Sequence, residues 1–402
     1  MVRDSVVVTG LGVVSPLGFS GTEVAARLCR GEHAVQPFTD PRVGPWLGAT
    51  ITEVPVEAIP PDQRAHVGRL DRFSRLFLSA ASLAVENAGL QIRDDEAERI
   101  GLSFGTGFGC LLTNAEYNLK LVERGPTAAS PRLFAATVSN AAAGEVSIAL
   151  GIKGANVTLH AGLAAGLQAI GYACDLIRLG KADVVLAGGA DALGAALLHG
   201  LADMGLLKSQ IGVPFGESLP GVCPSEGAAV VVLESDTHAR RRGAQRWARI
   251  AGYAAGFEPS LTRRDRQATT IAATMRRVLD LSGYDAAAVD LLLASAHATA
   301  VDRTELSALG EVFADSQRAV IFAPKAAWGE TFGAHGALAL AVASAVVRQR
   351  PEVADHVAWD LLGNPVAGAT ATARVGRAQV AMVHALCYSG VTVALMLARE
   401  EE

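Results

Sequence analysis

Cys29, Cys110, Cys174, Cys223 and Cys387 are the side chains of this 402-residue chain best suited to covalent chemistry. They are far apart, odd in number, and no Cys-x-x-Cys pair occurs. That pattern provides neither a disulfide framework nor a zinc site, and it fits a reduced, intracellular protein. The other groups that could move a proton stand in short stretches of small residues. His160 lies in Gly154–Gly171, His297 follows Ala296, and Lys325, Glu330 and His335 share Pro324–Ala337. No nucleotide, metal or flavin motif is recognisable, so no cofactor is implied.

Composition narrows the class. Half of the residues are hydrophobic and 19% are charged, which excludes a disordered chain. The net charge is −5 and no long basic block occurs, which argues against nucleic acid or an anionic membrane as the main partner. Asp4 stands where a signal peptide needs an apolar run. Gly154–Cys174 and Ala378–Ala398 are uncharged and long enough to raise the question of a membrane span. Internal polar groups such as Asn156, His160, Gln379 and His384 make both read as the buried core of a soluble, cytoplasmic protein.

The elements that would position these groups alternate. Short apolar, β-branched runs predict strands at Ser5–Thr9, Val184–Leu186, Ala229–Leu233, Ala248–Ala251, Leu291–Ala294, Ala319–Phe322, Val380–Leu386 and Thr392–Leu397. Alanine- and leucine-rich segments predict helices at Arg72–Asn87, Gly162–Leu179, Thr269–Leu281 and Ala334–Val347. This alternation predicts βαβ units and buried sheets. Residues 1–240 and 245–402 look like two variations on one plan. Pro55–Gln63 reads as a surface loop, and the arginine-rich His238–Arg249 reads as a solvated helical connector between the halves.

Six stretches, in this order, resemble the β-ketoacyl-acyl carrier protein synthases. They are VVVTGLGVVSPLG (Val6–Gly18), LDRFSRLFLSAASLAVENAGL (Leu70–Leu90), LAGGADAL (Leu186–Leu193), SEGAAVVVLE (Ser225–Glu234), Ala296-His297, and PKAAWGETFGAHGA (Pro324–Ala337). The resemblance covers essentially the whole chain. It implies a thiolase-type α/β fold, two duplicated halves in a five-layer αβαβα core, dimeric through the edge of one sheet.

Such enzymes need a cysteine thiolate at a strand-to-helix elbow and two histidines that stabilise the enolate left by decarboxylation. By this resemblance the cysteine position falls on Leu163, which has no nucleophilic atom. The first histidine matches His297, the second falls on Glu330, and the supporting lysine is Lys325. Glu330 would repel an enolate unless protonated, so it is expected to be a structural acid paired with Lys325 or His297. His160 is expected to hydrogen-bond backbone near the elbow. The C-terminal glycine- and phenylalanine-rich turn of the family reads Cys-Tyr-Ser-Gly-Val at 387–391, and the Arg-Asp that follows Pro-Phe in the family is missing from Pro214–Ser225.

The scaffold is kept and the reaction centre is dismantled. That combination resembles the chain-length factor, the degenerate ketosynthase-like (β) subunit of type II polyketide synthases, where glutamine usually replaces the cysteine. The resemblance implies a heterodimer with an active ketosynthase (α) subunit, an acyl carrier protein as third partner, and no catalytic residue in this chain. It also implies a tunnel gated from the helix after the Gly105–Gly109 turn, at Cys110, Thr113 and Tyr117, which helical spacing puts on one face. The rival reading is a stand-alone acyl-thioester decarboxylase or hydrolase that uses His297 and Glu330 as acid and base.

Overall fold

The computed structural model describes residues 4–38, 44–207, 209–210, 212–217, 221–259, 266–296, 298–314, 319–360 and 363–400. Fourteen strands occur among them: β1 Val6–Val14, β2 Gln36–Pro37, β3 Leu47–Gly48, β4 Ile100–Thr106, β5 Asn156–His160, β6 Val184–Asp191, β7 Gly227–Ser235, β8 Ala248–Phe257, β9 Leu291–Leu293, β10 Val320–Phe322, β11 Ala358–Trp359, β12 Pro365–Val366, β13 Val380–Leu386 and β14 Val391–Ala398. All but β2 and β3 join one hydrogen-bonded order, β12-β11-β10-β9-β13-β14-β8-β1-β7-β6-β4-β5.

That order contains one pattern twice. In β5-β4-β6-β7-β1 the first two pairings are parallel and the next two antiparallel. The sequence β10-β9-β13-β14-β8 repeats it. The seam between the two is short: β1 meets β8 only through Val6, Val7 and Val8. Helices Ala165–Arg178 and His335–Gln349 touch strands of both patterns. Arg72–Ala88 covers the outer face of the first, and Ala268–Ser282 covers the outer face of the second. The result is the five-layer, thiolase-type α/β arrangement, with three main apolar clusters between its layers.

Burial on both faces explains the unbroken apolar strands. β1 is buried at every position. Gly12 within it lets the Arg72–Ala88 helix approach, because a Cβ there would stand 1.9 Å from the Ala80 carbonyl oxygen. Asp71 caps that helix by accepting a hydrogen bond from the Ser74 N–H, and Gly89 ends it in the left-handed conformation.

Strands β1, β6, β7 and β8 run further than the apolar runs at Ser5–Thr9, Val184–Leu186, Ala229–Leu233 and Ala248–Ala251 predict. The solvated connector at His238–Arg249 is corrected. Only Asp236–Arg241 is helical, Ala248 already begins β8, and Arg242 turns inward onto the fully buried Glu234. Pro55–Gln63 is the expected surface loop, pinned to the core by the buried Ile59 and by the Pro55 carbonyl, which accepts the hydroxyl of Ser79. No helix among the described residues is long and apolar enough to cross a membrane. Gly154–Cys174 is β5 followed by most of a helix, and Ala378–Ala398 is the β13–β14 hairpin.

Candidate functional site

β5 ends at His160. A single 3-10 turn, Gly162–Ala164, then leads into the Ala165–Arg178 helix. Leu163 stands in this elbow and lines a cavity of about 420 Å³. Most of the wall is apolar, with Leu201, Met204, Leu206, Val222 and Phe332 around it. Phe108, from the glycine-rich turn after β4, packs edge-on against Phe332 at 5.0 Å. The elbow therefore offers a hydrocarbon surface where a condensing enzyme needs a thiolate.

Glu330 lines the same cavity and is buried. Lys325 Nζ lies 2.7 Å from its carboxylate and also donates to Ser295 Oγ at 3.2 Å. The second carboxylate oxygen of Glu330 accepts the Phe332 N–H at 2.9 Å. Both charges are buried, so their mutual bond and these extra donors are what make the pair tolerable. Tyr388 forms another part of the wall. Burial, and then the negative charge of Glu330, push its phenol above the ordinary range, against a hydrogen bond from Thr299. It is a neutral hydroxyl at any physiological pH.

His297 lies outside the described residues. His335 begins the His335–Gln349 helix, is fully buried and packs beside Trp328, away from the cavity wall. His160 is a correction. It ends the outermost strand with an exposed side chain, and its ring forms no hydrogen bond to backbone near the elbow. The turn hydrogen-bonds within itself, through Ala164 N to Ala161 O, so the imidazole is not needed there.

The gating trio separates. Cys110 caps the Leu111–Arg124 helix, and Cys110 and Thr113 wall a second cavity, of about 640 Å³, on the other side of the glycine-rich turn. Tyr117 walls neither cavity. It lies one turn further on, and its ring is taken up by Phe134 at 5.9 Å. The three share a helix face by angle but not by height along the axis.

Two features of the site went unread in the sequence. Cys387 reaches it from the C-terminal hairpin: its Sγ would stand 2.3 Å from a Cβ on Gly162, and it accepts the Ser389 hydroxyl at 3.1 Å. Arg266, with its side chain fully buried, holds that turn by donating to the Cys387 and Val391 carbonyls and to Thr392. The other is Asp191 at the end of β6. Its carboxylate accepts from Thr106 Oγ1 and from the backbone N–H groups of Gly107, Phe108, Gly109 and Gly333. Burial works to raise its pKa and these donors work to lower it. It ties the glycine-rich turn to the loop that carries Glu330. Cys387 and Asp191 lie in stretches that carry the family resemblance, at 387–391 and Leu186–Leu193, but only the fold shows what they and Arg266 hold together.

The thiols of Cys29, Cys174 and Cys223 are not poised for covalent chemistry, although the Cys223 carbonyl accepts the Glu330 N–H at 2.8 Å. Burial pushes Cys29 and Cys174 up to about 12 and Cys223 up to about 11, so none is a thiolate near neutrality. Among the described residues no cluster of three His, Cys, Asp or Glu side chains could hold a metal ion.

Comparison with known proteins agrees with this geometry. The family model described as beta-ketoacyl synthase, N-terminal domain, matches residues 3–239, and its C-terminal counterpart matches residues 247–353. The chain is 32% identical to 3-oxoacyl-[acyl-carrier-protein] synthase 2 of Rhizobium meliloti, covering 85% of this chain and 86% of that one. It is 31% identical to the synthase 2 of Coxiella burnetii, covering 87% of each. Among solved structures it is similar to the ishigamide ketosynthase/chain length factor, with TM-score 0.86 and 25% identity over 99% of this chain and all of that one. It is equally close in sequence to a beta-ketoacyl synthase of Burkholderia phymatum, with TM-score 0.83, 25% identity and the same coverage. With its fold, its elbow and its glycine-rich turns, the chain belongs to the β-ketoacyl synthase family.

Proposed function

We propose that this chain is a non-condensing member of that family, a chain-length factor. It pairs with an active ketosynthase and shapes the space for a chain carried on an acyl carrier protein. The observation that carries the reading is Leu163: the elbow is intact, yet the side chain at its tip is hydrocarbon facing a cavity. A second change agrees with it. Glu330 is locked to Lys325 and supplies a negative charge where an enolate would need a donor.

The surface supports a partner. β5 is an end strand of the sheet, and among the described residues its far edge is unpaired. Beside it the segments 111–124, 131–135 and 141–150 expose Leu119, Val122, Phe134 and Ile148, with Val122 85% and Ile148 76% accessible. An open strand edge flanked by exposed apolar side chains is a surface built for burial. The likeness to a solved ketosynthase/chain length factor makes a ketosynthase subunit the favoured occupant.

The test is product length in a reconstituted system of this chain, its ketosynthase and the carrier protein. Thr113→Trp fills the chamber behind Cys110, so the product should shorten while the rate of the first condensation stays. Unchanged product length with an intact complex would contradict the gating role.

A further inference from the structure

The cavity of about 640 Å³ behind Cys110 and Thr113 has an uneven charge balance. Each acid in its wall is already engaged. Asp71 caps a helix and accepts the Thr113 hydroxyl, Glu145 pairs with His66, and Glu116 pairs with Lys120. Arg72 is engaged as well, held by the buried Glu226. Arg69, Arg75 and Arg132 also wall the cavity, and none of them has a carboxylate partner among the described residues. Arg132 donates only to the Arg69 carbonyl, which keeps those two together. The Nε of Arg75 is buried and finds no protein acceptor among the described residues. A buried donor without a protein partner favours an acceptor brought in from outside the chain. Leu70, Phe73, Leu112 and Leu133 give the wall an apolar part beside Ser74 and Thr113.

We propose that this chamber binds the carboxylate of an amphiphilic acid, with the guanidinium of Arg75 as its anchor, Arg69 and Arg132 as supporting charges, and the apolar wall covering the chain. A guanidinium fork matches a carboxylate in geometry and charge, which a plain alkyl end cannot satisfy. The carboxylate comes either from a free fatty acid or from the far end of a carrier-bound chain. The carrier-bound source rests on the chain-length role of this chamber, and the free-acid source stands without it.

The test is calorimetric titration of the protein as it purifies, alone or with its partner, at low ionic strength. Octanoate and 1-octanol are the probes. Octanoate should bind about tenfold more tightly than octanol, as a charge-assisted bidentate contact predicts. Arg75→Leu should erase that preference and leave octanol binding unchanged, and the exposed Arg132→Leu should weaken octanoate without touching the fold. Thr113→Trp should weaken both probes, which places them in this chamber. Octanoate competed off by a carboxylate-ended acyl carrier thioester assigns the site to a carrier-bound chain, and octanoate unaffected by it assigns the site to free acid. Equal affinity for the two probes would overturn the proposal. So would arginine variants that melt like the wild type and still prefer octanoate, or variants that lose only carrier-protein binding, since the arginines would then dock an acidic partner.

Discussion

Cys387 Sγ packs directly onto Gly162, so the C-terminal hairpin closes the elbow that carries Leu163. A Cβ at Gly162 would stand 2.3 Å from that sulfur, and the glycine itself sits at φ +55°. Gly162→Ala therefore meets both a steric and a backbone penalty, and should destabilise the protein by about 1–3 kcal/mol. Cys387→Gly in the same chain should recover the steric part only. A double-mutant cycle by urea unfolding separates the two, and strictly additive effects would show that the contact carries no energy.

Glu330→Gln should damage folding or assembly rather than any turnover. It leaves the buried Lys325 ammonium without its counter-charge, a change worth about 3–5 kcal/mol. Replacing both residues, Lys325→Met with Glu330→Met, should restore most of that. Abolished thioester turnover with unfolding midpoint and assembly intact would instead favour the acid–base enzyme reading.

Asp191→Asn tests the buried hub. An amide nitrogen would face the N–H groups of Gly107 or Gly333, which now donate to Oδ2 at 2.8 and 2.7 Å. Donor against donor should cost about 2–4 kcal/mol and loosen the glycine-rich turn. Differential scanning calorimetry reads the first effect, and amide exchange at Gly107–Gly109 reads the second.

Acid stability should depend on Glu234. Burial alone would raise its pKa, but Arg242, His238 and Thr9 outweigh burial and bring it from 4.5 down to about 2. A carboxyl whose folded pKa is depressed contributes its full stabilisation above the unfolded value. That contribution, about 3 kcal/mol, should be lost as pH falls from about 4.5 through 2. Glu234→Gln should flatten this part of the stability–pH curve.

The legible parts of the fold were those where one physical signal dominates. β13 is read to the residue, because an apolar, β-branched run buried on both faces has no competing pattern. The helices at 72–88 and 268–282 lie within a residue of their predicted bounds, since glycine stops each one. β4 and β5 escaped, because IGLSFGT is broken by glycines and NVTLH is short and polar. At the site, Leu163 and Glu330 share one cavity, but Cys387, Arg266 and Asp191 reach it only through pairings far apart in sequence. Tyr117 shows the limit of periodicity: helical angle says which face a residue takes, and the neighbouring Phe134 decides what that face meets.

The most direct test of the central claim is the native mass of the complex purified from its own host, with each chain identified by intact mass. The account predicts a 1:1 complex with a second ketosynthase chain that keeps its elbow cysteine. A homodimer of this chain alone that turns over acyl thioesters would contradict it.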